Sequence, residues 1–195
     1  MPPIGSLRPL LAGGDRRSVA QSAKAKALIL NDPRKVAELS QLALDADRLV
    51  SMRAMDLLEK LAHTRPELVQ PYKDLFIGPL ADSEQWEIRL QIVRALPVLE
   101  WTGGERKRAV AILKRDARHP QKFLKAWALD SLSLFTLEDR RLMPFVLRVL
   151  DEFERSDSKA LAVRARHVRD RFAIPVRAMI SPARPVSGSG WRRRR

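Results

Sequence analysis

The sequence predicts an all-α fold, an α-solenoid of about four helix pairs behind a leading helix. Three observations carry this. An apolar skeleton at i, i+4, i+7, i+11 occurs at Val50, Ala54, Leu57, Leu61. It recurs at Ile88, Ile92, Ala95, Leu99, then Leu124, Ala128, Ser131, Phe135, then Leu161, Ala165, Val168, Phe172, in steps of 38, 36 and 37 residues. That spacing is one face of a helix, and a repeat of this length marks stacked helix pairs that share a core. The third observation is the end of the array. Beside the skeleton, the first three copies hold Met55, Val93, Leu129 and Leu58, Leu96, Leu132, whereas the last holds Arg166 and Arg169. A terminal repeat has no following neighbour, so its outer face must be wet.

Residues 1–14, rich in Pro and Gly, read as a disordered N-terminus. The solenoid domain is expected over 15–175. A leading helix over 15–30 places Val19, Ala23, Ala27 and Leu30 on one face. The first pair is Pro33–Ala46 with Arg48–His63, Asp32 standing where a cap is needed and Pro33 at the first helical position. The second pair is Pro66–Ala81 with Ser83–Glu100, where Pro97 should bend the helix because its ring excludes the carbonyl one turn back. The third pair is Glu105–Arg118 with Gln121–Phe135, opened by a capping-box spacing at Thr102 and Glu105. The fourth is Arg140–Arg155 with Ser158–Phe172. Residues 176–195 read as a disordered basic tail.

Composition narrows the function classes. The formal charge is +14, unevenly placed. Residues 32–101 hold nine basic and twelve acidic side chains, residues 102–175 hold seventeen and ten, and residues 176–195 hold six arginines and no acid. A surplus of this kind attracts polyanions without specifying which. Cysteine is absent, which removes thiolate metal sites and thiol nucleophiles and suits a cytoplasmic setting. No apolar run reaches the eighteen or so residues of a membrane span. There is no Gly-rich phosphate loop, no HExxH and no GxSxG, and His63, His119 and His167 lie far apart. No catalytic residue, metal or cofactor is therefore assigned.

The runs RPELVQPYKDLF (65–76), WEIRLQIVRALPVLEW (86–101) and FLKAWALDSLSLF (123–135) resemble HEAT repeats, and the resemblance covers roughly 33–172. It implies a right-handed superhelix with second helices along the concave side, and binding or scaffolding rather than a shared chemistry. One departure is the turn aspartates: Asp47, Asp82, Asp116 and Asp157 stand at unequal distances before the skeleton.

If the second helices line a concavity, the residues beside the buried stripe face a partner. One such row is Arg53, Gln91, Trp127, Arg164; another is Asp56, Arg94, Asp130, His167; Lys60 and Arg171 extend them. The expected function is a non-catalytic, monomeric scaffold or adaptor that holds a partner protein or peptide there. The plainer reading is a solvated helical face, which Trp127 argues against. The alternative is nucleic-acid binding through Arg106, Lys107, Arg108, Lys114, Arg115 and Arg118, with Trp191 and Arg192, Arg193, Arg194 and Arg195 of the tail. A remoter alternative follows from the resemblance. Alkylated-DNA glycosylases use a Trp and an Asp in such a cleft, and Trp127 and Asp130 are the only pair that match here.

Overall fold

The structure is a computed structural model that describes residues 6–15 and 17–180, with side chains as far as Phe172. It is all-helical, with no strand among the described residues. The helices are α1 (Arg8–Leu11), α2 (Ser22–Asn31), α3 (Lys35–Leu42), α4 (Arg48–Thr64), α5 (Pro66–Val69), α6 (Asp74–Ile77), α7 (Trp86–Ala95), α8 (Gly103–Asp116), α9 (Lys122–Glu138), α10 (Met143–Glu154) and α11 (Lys159–Ile180).

The four helices that carry the skeleton pack in chain order: α4 against α7, α7 against α9, and α9 against α11. Three of them also pack on the helix before them, α4 on α3, α9 on α8 and α11 on α10, while α7 packs on the 3₁₀ turn at Pro79–Asp82. Two contact directions demand two apolar stripes. Every skeleton residue is buried except Phe172, which is half-buried against the same core. Met55, Leu58, Val93, Leu96, Leu129 and Leu132 fill the second stripe and are fully buried. A large side chain buried this way contributes about 1.5–3 kcal/mol. On α11 the equivalent positions turn polar. Arg166 is exposed, and Arg169 reaches Asp151 and Glu154 on α10.

Several boundaries differ from expectation, each for a local reason. The helix expected over 66–81 is broken. Pro71 and Pro79 lack the N–H that a continuous ladder needs, so α5 and α6 are single turns, followed by 3₁₀ turns at Gln70–Tyr72 and Pro79–Asp82 respectively. Pro97 does more than bend its helix: α7 ends at Ala95 and a 3₁₀ turn spans Leu96–Val98. The leading helix starts late, at Ser22. At the other end α11 continues to Ile180, past the expected boundary at 175.

The expectation of disorder over 1–14 is corrected for residues 6–14. Leu7 and Leu11 are fully buried, and α1 packs on α2 and α4. Glu38 accepts from Ser6 Oγ at 2.8 Å and from Leu7 N at 2.7 Å, and Arg8 pairs with Asp45 at 2.8 Å. Gly13 and Gly14 are not linker residues. Both adopt positive φ, 75° and 72°, to turn the chain after α1. A Cβ on Gly14 would stand 3.0 Å from Ser18 Oγ.

α4 and α8 open on side-chain caps, whereas the cap expected at Asp32 is not made, since α3 begins at Lys35 with Arg34 before it. Asp47 caps α4, accepting from Leu49 N at 2.9 Å. Thr102 and Glu105 form the capping box that opens α8. Glu105 also receives Lys73 Nζ at 2.7 Å. This bond, with the Thr102 N–H, brings its pKa down to about 2.

Candidate functional site

The side chains expected to line a groove lie on α4, α7, α9 and α11, and most of them bind one another. Arg53 is the clearest correction. It is 3% exposed. Its guanidinium donates to four main-chain carbonyls of the chain's own N-terminal segment: Leu11 O at 2.6 Å, Gly13 O at 2.7 Å, Asp15 O at 2.8 Å and Ser18 O at 3.0 Å. The planar five-donor fork suits such an arc of acceptors, which a point-charge ammonium cannot match. Arg53 therefore faces a peptide segment, but that segment is intramolecular. Gln91 is likewise buried, its Oε1 accepting from Arg94 Nη1 at 3.3 Å.

Beyond Arg53 the face is a charged ladder. Arg94 on α7 lies 5.0 Å from the centroid of the Trp127 ring, and Arg164 on α11 lies 4.0 Å from it. Trp127 thus carries cations from both neighbouring helices, each contact adding about 0.5–2 kcal/mol as it loses water. Asp130, one turn on, is buried and receives Arg164 at 3.5 Å and Arg171 at 3.2 Å. Arg171 also bonds Ser133 Oγ and the Asp130 carbonyl. The carboxylate of the Trp127–Asp130 pair is therefore already held by arginines on α11. Asp56 and Lys60 pair along α4 at 2.5 Å, and His167 is exposed on α11.

Sequence reasoning missed Glu59. Its side chain is 1% exposed, with Arg94 Nη2 at 2.9 Å and His63 Nε2 at 3.3 Å from Oε1. Neither approach has hydrogen-bond geometry, and both carboxylate oxygens are buried without a hydrogen-bond donor. Burial pushes its pKa up, and the attraction of Arg94 and His63 offsets this only in part. Glu59 and Arg94 sit at the edge of a depression of about 330 Å³. Lys60 and His63 of α4, Trp127 and Asp130 of α9 and Lys26 of α2 complete its polar lining. A signal for Glu59 existed: an acid one turn before His63, inside an otherwise apolar stripe.

The basic residues of α8 divide into two groups. Arg106 pairs with Glu138 at 2.8 Å and lies over the Phe135 ring. Arg115 is tied to Asp82 and to Asp116, and Asp116 is fully buried with Arg89 as a second partner. These two brace the helix pairs. Lys107, Arg108 and Arg118 are exposed. Lys114 and Arg118 lie 5.5 and 5.1 Å from the Phe145 ring of α10. Trp191 and Arg192–Arg195 lie outside the described residues.

Among the described residues no cluster of three or more metal-ligating side chains occurs, and no helix is long and apolar enough to cross a membrane. No family model matches the chain, and no curated protein or solved structure matches it either.

Proposed function

We propose that this chain is a right-handed α-solenoid of HEAT-like pairs that acts as a non-catalytic, monomeric cytoplasmic interaction module. Its second-helix face would hold an extended segment of a partner protein. The chain-order packing of α4, α7, α9 and α11 supports the architecture. The observation that carries the function is Arg53. On this face a guanidinium already gathers four carbonyls from an irregular stretch of chain, residues 11–18. The N-terminal segment bonds Arg53 on α4, and an open depression lies at Glu59, Arg94 and Trp127, with Lys26 of α2 in its lining. Arg94 is held there between an acid and an aromatic ring, ready to donate without first being ordered.

The test is selection of a randomised peptide display library on the full chain, followed by affinity measurement of the enriched peptides. Peptides of this site bind the wild type and lose about tenfold or more against Arg94→Glu and Trp127→Ala. The assignment is refuted if no enriched peptide weakens with these two substitutions.

A further inference from the structure

A second opening lies on the other layer of the molecule. α8 packs on α6 and α9, whereas α10 packs on α9 and α11. Between α8 and the start of α10 is a groove of about 850 Å³. Trp101, Lys107, Val110 and Lys114 form one wall, and Arg141 and Leu142 stand opposite.

We propose that this groove binds a short peptide segment bearing acidic and apolar side chains. Charge complementarity is the first argument. Across the groove Arg141 is paired with Asp139 at 2.8 Å, and on α8 itself Arg106 is paired with Glu138 at 2.8 Å. On the α8 wall Lys107 and Lys114 have no acidic partner among the described residues. The uncompensated charge therefore lies along one side of the groove. Seven residues separate these lysines, about 10 Å along the helix, a span that two carboxylates on a bound segment can match.

The apolar lining supplies the second argument. Val110 and Trp101 are half-buried, Ala111 is exposed and Leu142 is buried. Apolar side chains of a peptide would cover this strip and free its water. A phosphate backbone would leave the strip wet. It would also bring a charge per nucleotide against Glu138, which is 72% exposed, and Asp139. A peptide can keep its acids on the α8 side alone. These two features favour a peptide over a single-stranded nucleic acid.

The groove is separate from the second-helix face, and variants sort the two. The same randomised peptide library is selected on the full chain, and enriched peptides are titrated by fluorescence anisotropy. The variants are Lys107→Glu/Lys114→Glu, its milder form Lys107→Ala/Lys114→Ala, and Arg94→Glu. A control, Lys24→Glu/Arg148→Glu, makes the same net charge change elsewhere. The proposal expects enriched peptides with Asp or Glu interleaved with Leu, Phe or Trp. Their affinity should fall about tenfold or more in both lysine variants and hold in Arg94→Glu and the control. Absence of acidic–apolar enrichment overturns it, as does affinity retained in the lysine variants or equally lost in the control. Enrichment confined to peptides lost with Arg94→Glu, which belong to the other face, also overturns it. A labelled single-stranded oligonucleotide is the last arm. If it binds the wild type more tightly than any enriched peptide and is lost in the lysine variants, the groove is a nucleic-acid site and the peptide proposal fails.

Discussion

The second-helix face and the α8–α10 groove are both rich in cations, yet they use them differently. On the second-helix face Arg53, Arg94, Arg164 and Arg171 are bound to carbonyls, carboxylates and the Trp127 ring. There guanidinium groups tie helix to helix and tie the N-terminal segment to α4. In the groove Lys107 and Lys114 pair with no acid among the described residues, where Glu138 and Asp139 are taken by Arg106 and Arg141. The difference teaches that net charge is a poor guide to a binding surface. What matters is whether the charge is already spent inside the chain. An Arg fork with several fixed acceptors is structural first, whereas a Lys with none costs the fold little and attracts whatever anion arrives.

The contrast breaks most sharply at Arg53. Arg53→Ala leaves buried carbonyls of residues 11–18 without a donor, and should cost about 3 kcal/mol in urea-induced unfolding. Hydrogen exchange should then show amides of 7–18 losing protection first. If Arg53→Ala unfolds with the wild-type midpoint, the strap is not held by that side chain. Trp127→Ala comes next, at about 2 kcal/mol, since a half-buried ring and two cation–π contacts are lost together. A cost near zero would mean that Arg94 and Arg164 re-pair without it.

Glu59 tests whether the ladder's buried acid is an asset. Its folded pKa is raised, so the folded state binds more protons than the unfolded one across the window above the ordinary 4.5. Stability from this group is therefore complete at low pH and is lost as pH rises through that window. Glu59→Gln, a neutral mimic, should melt at neutral pH no lower than the wild type and should show a flatter melting temperature between pH 4 and 7. A large drop would show that the Arg94 pair outweighs burial. The smallest effect belongs to the groove. Lys107→Glu/Lys114→Glu should change stability by less than about 0.5 kcal/mol. A larger loss would make these lysines structural and erase the distinction between the two regions.

Some of this was legible in the residues alone. Two apolar stripes on α4, α7 and α9, and their replacement by Arg166 and Arg169 on α11, follow from the helical period. The box at Thr102 and Glu105 follows from local donor–acceptor chemistry, whereas Asp47 was legible only as a turn aspartate and not as a cap. The candidate site was half legible. Trp127, Arg94, Asp130, Arg164 and Arg171 do converge, but spacing along one helix cannot say that a neighbour's side chain is the partner. Glu59 went unread because an acid in a helical stripe looks like any i, i+4 companion of His63.

What the sequence by itself determined is the four skeleton helices, their buried stripes and the wet last one. These depend on contacts within a few turns, where geometry is fixed by the chain. Only the tertiary structure decided which cations are occupied. It folded the carbonyls of Leu11, Gly13, Asp15 and Ser18 back onto Arg53, set Trp127 between arginines of α7 and α11, and left Lys107 and Lys114 facing an open groove. Pairing between charges dozens of residues apart depends on how the helices stack, and no local rule carries that information.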